Sequence, residues 1–201
     1  MNGDACVPLR TERLTLELRL QSLEINPMQE ETHIHLGTVY FEMGEEHYVD
    51  ALREENLALE MNPHSKFALF NKALTLKRLK QFIQSEQIFI ELSLTDVKDR
   101  EVHVHLADLY LLQGEFQKAE PYIRRVLELN PADATGLSLL GEMYEQAGKI
   151  EMAIETLHQL LKVEPGNIEI YADLANLYKK INNLAKAKEC IAHIQRLSSL
   201  D

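Results

Sequence analysis

Glycine and proline are scarce in this chain: eight and six among 201 residues. An all-β sandwich or barrel needs turn signals every ~8–12 residues, so that class is excluded. No stretch approaches the ~18 uninterrupted apolar residues of a membrane span. The start, Met1-Asn2-Gly3-Asp4-Ala5-Cys6, has neither the basic opening nor the apolar core of a signal peptide. Cysteine occurs twice, at Cys6 and Cys190, with no Cys-x-x-Cys. Neither a disulfide framework nor a zinc site is indicated, and a reducing, cytoplasmic setting is the expectation. Basic residues are the minority, 21 against 32 acidic, a net charge of −11. Such a chain repels phosphate backbones, so nucleic-acid binding is not expected.

Catalytic signatures are missing too. There is no Gly-x-Gly-x-x-Gly, no phosphate-binding Gly-x-x-x-x-Gly-Lys-Ser/Thr and no Gly-x-Ser-x-Gly elbow. Nothing nominates a nucleophile, a base and an orienting group together, so no enzyme activity and no cofactor are expected. The pairs His33-Ile34-His35 and His103-Val104-His105 resemble metal ligands only superficially. On a helix, residues two apart point ~200° apart, so one ion cannot take both. His33 and His103 are expected to be packed.

What is present is a repeat. Glu24-Ile25-Asn26-Pro27, Glu60-Met61-Asn62-Pro63, Glu128-Leu129-Asn130-Pro131 and Val163-Glu164-Pro165 place proline at intervals of 36, 68 and 34. Small residues recur in phase at Gly37, Ala73, Ala107, Gly141 and Ala175, and again at Ala51, Ser85, Ala119, Ala153 and Ala187. Tyr40, Leu76, Tyr110, Tyr144 and Tyr178 follow the first column by three. Gly44, Gly114 and Gly148 lie between the columns, with Lys80 and Asn182 in the same slot. Small columns let two helices approach closely, and the larger residue beside them fills the space that remains. A mid-unit glycine suits a helix end and a tight turn. The spacing predicts helix pairs over 30–43 and 47–61, 66–79 and 82–94, 100–113 and 116–129, 134–147 and 150–163, and 168–181 and 184–197. Pro121 falls inside one of these helices and predicts a late start or a slight bend there.

These columns resemble the tetratricopeptide repeat family. The fourth unit matches well, with Leu137, Leu140-Gly141, Tyr144, Gly148, Ala153, Leu157 and Pro165. The resemblance implies an all-α superhelical solenoid of antiparallel helix pairs. Residues 1–29 form a short N-terminal segment with one helix, the remnant of a partial repeat. Five repeats follow over 30–199, at about 30–65, 66–99, 100–133, 134–167 and 168–201. Helix 184–197 ends without a polar cap, so a fragment, a splice form or a self-associating end is the sharper reading of that terminus.

In this family the first helices line a concave groove that grips a peptide or helix. The matching positions are Ile34, Thr38, Phe41, Phe67, Phe70, Leu74, Lys77, Val104, Asp108, Leu111, Glu142, Glu145, Asn176 and Lys179. The apolar members concentrate in the first three units, and the acids follow. The partner this implies is a protein segment with apolar anchors and basic flanks. Some members clamp chaperone tails with Lys and Asn. Here Ile34 and Thr38 stand in the first pair of clamp slots, and Glu101 and His105 replace a later basic pair, so that role is disfavoured. The run from Asn62 to Asn71 also looks like a segment of the lumenal repeat tails of transmembrane O-mannosyltransferases. The chain is therefore expected to be a non-enzymatic interaction scaffold. The alternatives are the repeat tail of a larger enzyme or membrane protein, which would be lumenal, and an RNA-binding helical repeat, which the charge disfavours.

Overall fold

The computed structural model describes residues 29–198. The predicted N-terminal helix and Cys6 lie outside the described residues. Within them the chain is helical, with no strand. The α-helices are α1 (Glu30–Glu42), α2 (Tyr48–Met61), α3 (Lys66–Arg78), α4 (Phe82–Thr95), α5 (Arg100–Leu112), α6 (Phe116–Leu129), α7 (Ala134–Gln146), α8 (Ile150–Val163), α9 (Ile168–Lys180) and α10 (Leu184–Leu197). A single 3-10 turn, Glu45–His47, takes up the two extra residues between α1 and α2.

The chain divides into two compact units, residues 1–97 and 98–201. In the first, α1 packs on α2, α2 on α3 and α3 on α4. In the second, the sequence α5 to α10 follows the same rule, each helix packing on the next. The small columns are the contact points. Ala51, Ala73, Ala107, Ala119 and Ala153 are fully buried. A Cβ on Gly141 would stand 3.3 Å from Leu157 Cδ2, so the backbone of α7 already rests against the side chains of α8.

Each first helix from α3 onward begins on a side-chain cap. Ser65, Asp99, Asp133 and Asn167 recur 34 residues apart and accept from the free amides of the first turn. Such caps are worth ~1 kcal/mol each. The helices turn back through a left-handed residue: Gly114 and Gly148 (φ +72 and +73), but also Lys80 and Asn182 (φ 59 and 58).

Of the two outcomes expected at Pro121, the late start does not occur: α6 starts at Phe116, and Pro121 lies exposed inside it. Proline removes one backbone donor, and on a solvent-facing turn the carbonyl left without that partner can be hydrated.

Candidate functional site

The first unit holds a small cavity of about 250 Å³ lined by Thr38, Phe41 and Glu42 of α1, Glu55 of α2, and Asn71 and Leu74 of α3. Thr38 donates to the Ile34 carbonyl, and Asn71 Nδ2 donates to Thr38 Oγ1 at 3.1 Å, which fixes one wall. The Phe41 ring stacks at a tilt on Tyr48, and the Arg78 guanidinium stands 5.9 Å from its centroid. Glu55 is fully buried. Its Oε1 accepts from the Thr75 hydroxyl at 2.7 Å, whereas Oε2 has no hydrogen-bond partner among the described residues. Burial pushes its carboxyl up to about 7, against the opposing pull of the Thr75 bond and Lys72.

Glu55 was not among the predicted site residues. Its column on the second helices is otherwise Phe89, Ile123, Leu157 and Ile191, each 34 residues apart. A carboxylate in an apolar column was the signal, readable in the sequence. Its neighbour Glu54 has a different fate: it meets His33 Nδ1 at 2.7 Å, both side chains buried, so His33 is packed as its column position implies.

Among the predicted groove residues of this unit, Ile34, Thr38, Phe41, Phe70 and Leu74 are half-buried, and Phe67 is 77% exposed. Phe70 is not an open floor residue: its ring meets the fully buried Phe89 edge-on at 5.8 Å. Lys77 is a correction, since only 8% of it is exposed.

The second unit brings acids together. Asp108 of α5, Glu142 and Glu145 of α7, and Glu169 and Asp173 of α9 share one electrostatic neighbourhood. Burial first, then Asp108 and Glu145, push the Glu142 carboxyl up. Burial first, then Glu145 and Glu169, push up Asp173. Lys180 Nζ lies 2.7 Å from Glu145 and offsets part of this charge. A shallow cavity of about 290 Å³ opens beside it, with Ser138, Asn167, Glu169 and Asp173 among its lining. Asn176 and Lys179 are exposed on α9. Val104 and Leu111, expected in the groove, are only 7% and 3% exposed, a second correction. Both lie on a broad apolar face of α5 with Val102, Leu106, Leu109 and Tyr110, and that face is buried.

Residues 100–133 and 144–197 match family models described as tetratricopeptide repeat. These two stretches are tetratricopeptide repeats. Among solved structures, MamA 41-end from Desulfovibrio magneticus RS-1 is similar at TM-score 0.75 and 17% identity, covering 87% of this chain and 98% of that one. YrrB, described as a TPR protein with an unusual peptide-binding site, is similar at TM-score 0.64 and 16% identity, covering 89% and 91%. Among curated proteins, the protein O-mannosyl-transferase TMTC3 of Homo sapiens is 26% identical, with 94% of this chain and 25% of the relative aligned. The BBSome complex member BBS4 of Bos taurus is 25% identical, over 82% and 33%. The mitochondrial import receptor subunit TOM70 of Mus musculus is 24% identical, over 97% and 35%. The chain thus spans about a third or less of the length of these relatives. Among the described residues, no helix is long and apolar enough to cross a membrane.

Proposed function

We propose that this chain is a non-enzymatic interaction module that binds a protein segment carrying basic residues beside an apolar anchor. The observation that carries the reading is the group of carboxylates on α5, α7 and α9, in which Asp108 and Glu145 add to burial in pushing up Glu142, and Glu145 and Glu169 add to burial in pushing up Asp173. Carboxylates crowded in this way gain when a cationic partner arrives, because attraction replaces repulsion. In the first unit, taken by itself, the exposed Phe67 offers a large aromatic ring that a partner can bury as an anchor. The test is binding of a library of Leu- and Phe-containing peptides, with and without flanking Lys or Arg, to the full chain. Basic peptides should bind best, lose affinity in the Glu142→Gln/Asp173→Asn double variant, and weaken as salt screens the charge. Equal capture of basic and neutral peptides would overturn it.

A second reading is that the module serves as the repeat portion of a larger membrane enzyme. The alignment of nearly the whole chain with one quarter of TMTC3 favours it. The two readings are compatible, because catalysis would then reside elsewhere. Detection of a longer native chain on a denaturing gel with an antibody to this segment would support it, and detection of only a 23.1 kDa species would count against it.

A further inference from the structure

We infer that the cavity between α1, α2 and α3 is a receptor for a single lysine or arginine side chain of the bound segment, with Glu55 as its floor. The inference deepens the proposed peptide-binding role and rests on it. Size is the first argument. At about 250 Å³ the cavity is below the roughly 300–1,000 Å³ of a small-molecule site and suits one long side chain.

Hydrogen-bond inventory is the second. A carboxylate only accepts when ionised. Oε1 of Glu55 is already served by Thr75, and Oε2 is served by none of the described residues. Glu42 adds a second carboxylate to the lining. The Thr38 hydroxyl proton is spent on Ile34, and one N–H of Asn71 is spent on Thr38, which leaves the Asn71 carbonyl as a further acceptor. The cavity is thus rich in acceptors and poor in donors, and the complementary guest brings several N–H groups. Phe41 and Leu74 form apolar walls against which a methylene stem packs while its charged head goes deeper. Phe41 already faces one guanidinium, that of Arg78, so its ring tolerates cation contact.

A buried carboxylate oxygen without a partner costs free energy. In the empty cavity the group meets that cost by holding a proton more tightly. An incoming ammonium or guanidinium replaces that proton with a charged donor. The cationic groups set against such a guest are Lys72, which acts on Glu55 through its charge, and Arg78 beside Phe41. The acidic groups in its favour are Glu55 and Glu42.

The experiment uses the full chain and a defined probe, n-butylguanidinium, against n-butanol as the uncharged match. Carbon-detected carboxyl signals and the Asn71 amide signals are followed at neutral pH. Butylguanidinium should move the Glu55 carboxyl signal toward the ionised form and bind about tenfold or more tighter than butanol, the equivalent of about one pKa unit at Glu55. Glu55→Gln, which keeps shape and the Thr75 bond, should erase that preference. Equal perturbation by both probes, or no movement at Glu55 and Asn71, overturns the inference. Should Glu55→Gln fail to fold, the native titration decides alone. If basic peptides bind the full chain and Glu55→Gln leaves their affinity unchanged, this pocket falls while the wider function stands. If no basic peptide binds at all, the wider reading falls with it.

Discussion

The guanidinium of Arg100, at the first position of α5, grips the carboxylate of Asp133 across 33 residues, with Nε to Oδ2 at 2.5 Å and an outer nitrogen to Oδ1 at 2.8 Å. The same carboxylate caps α7 by accepting from the Gly136 amide. One side chain therefore starts a helix and ties it to the helix that begins the preceding pair. Asp133→Ala should cost ~2 kcal/mol in urea unfolding, from the lost cap and the unpaired guanidinium together. Asp133→Asn, which can still cap, should cost about half as much. The Arg100 partnership holds the Asp133 carboxyl below its ordinary value. Its stabilisation is thus complete above the ordinary carboxylate range and is lost as pH falls through the lowered value. A variant whose deficit did not shrink in acid would contradict this.

Glu55 has the opposite sign. Its folded value of about 7 lies above the ordinary 4.5, so the folded chain holds this proton more tightly than the unfolded chain does. The associated stability is fully present below about 4.5 and is lost as pH rises through about 7. Glu55→Gln removes the titration. The stability difference between variant and native chain should therefore shift in favour of glutamine from pH 5 to pH 8, by on the order of 3 kcal/mol at most. A pH-independent difference would show that Glu55 is not desolvated.

Phe67 and Phe70 should separate. Phe67 is open to solvent, so Phe67→Ala should change stability by less than about 0.5 kcal/mol while weakening capture of apolar-anchored peptides. Phe70 packs on Phe89, so Phe70→Ala should cost ~2–3 kcal/mol in thermal or urea unfolding. Equal melting midpoints for the two variants would refute the distinction.

Lys80 holds φ 59 in a turn where equivalent units carry glycine. Left-handed backbone costs a non-glycine residue ~1 kcal/mol or more. Lys80→Gly should therefore stabilise the first unit by up to ~1 kcal/mol, less the unfolded-state entropy that glycine adds. Asn182→Gly should gain less, because asparagine visits this region readily. Chemical unfolding of the two single variants measures both.

The helix boundaries were legible because they depend on local signals that recur in phase. Small columns, turn glycines and the Asn-Pro tags put each predicted helix end within a residue of its place. The caps Ser65, Asp99, Asp133 and Asn167 were equally visible, two residues beyond the proline slot, but only a register search through the loops shows them. The site was less legible. One set of offsets was applied to every unit, although the buried face of α5 is broad enough to take in Val104 and Leu111, while the equivalent Ser138 of α7 and Lys179 of α9 are exposed. Facing direction depends on what a helix is packed between, and that is a tertiary fact. Glu55 was hidden by the opposite habit: a charged residue reads as surface until its column of Phe89, Ile123 and Leu157 is lined up beside it.

The turns at Gly114 and Gly148 have a bearing on chirality itself. At φ +72 and +73 the backbone has the hand that mirror-image amino acids prefer. An added L-type Cβ would touch nothing within 4 Å at either site, so backbone strain alone, not crowding, reserves these positions for glycine. In a chemically assembled chain, D-alanine at these two turns would sit in its own favoured basin and restrict the unfolded ensemble. L-alanine at the same atoms would be strained. The hand of one carbon would then decide whether the turn is tightened or loosened.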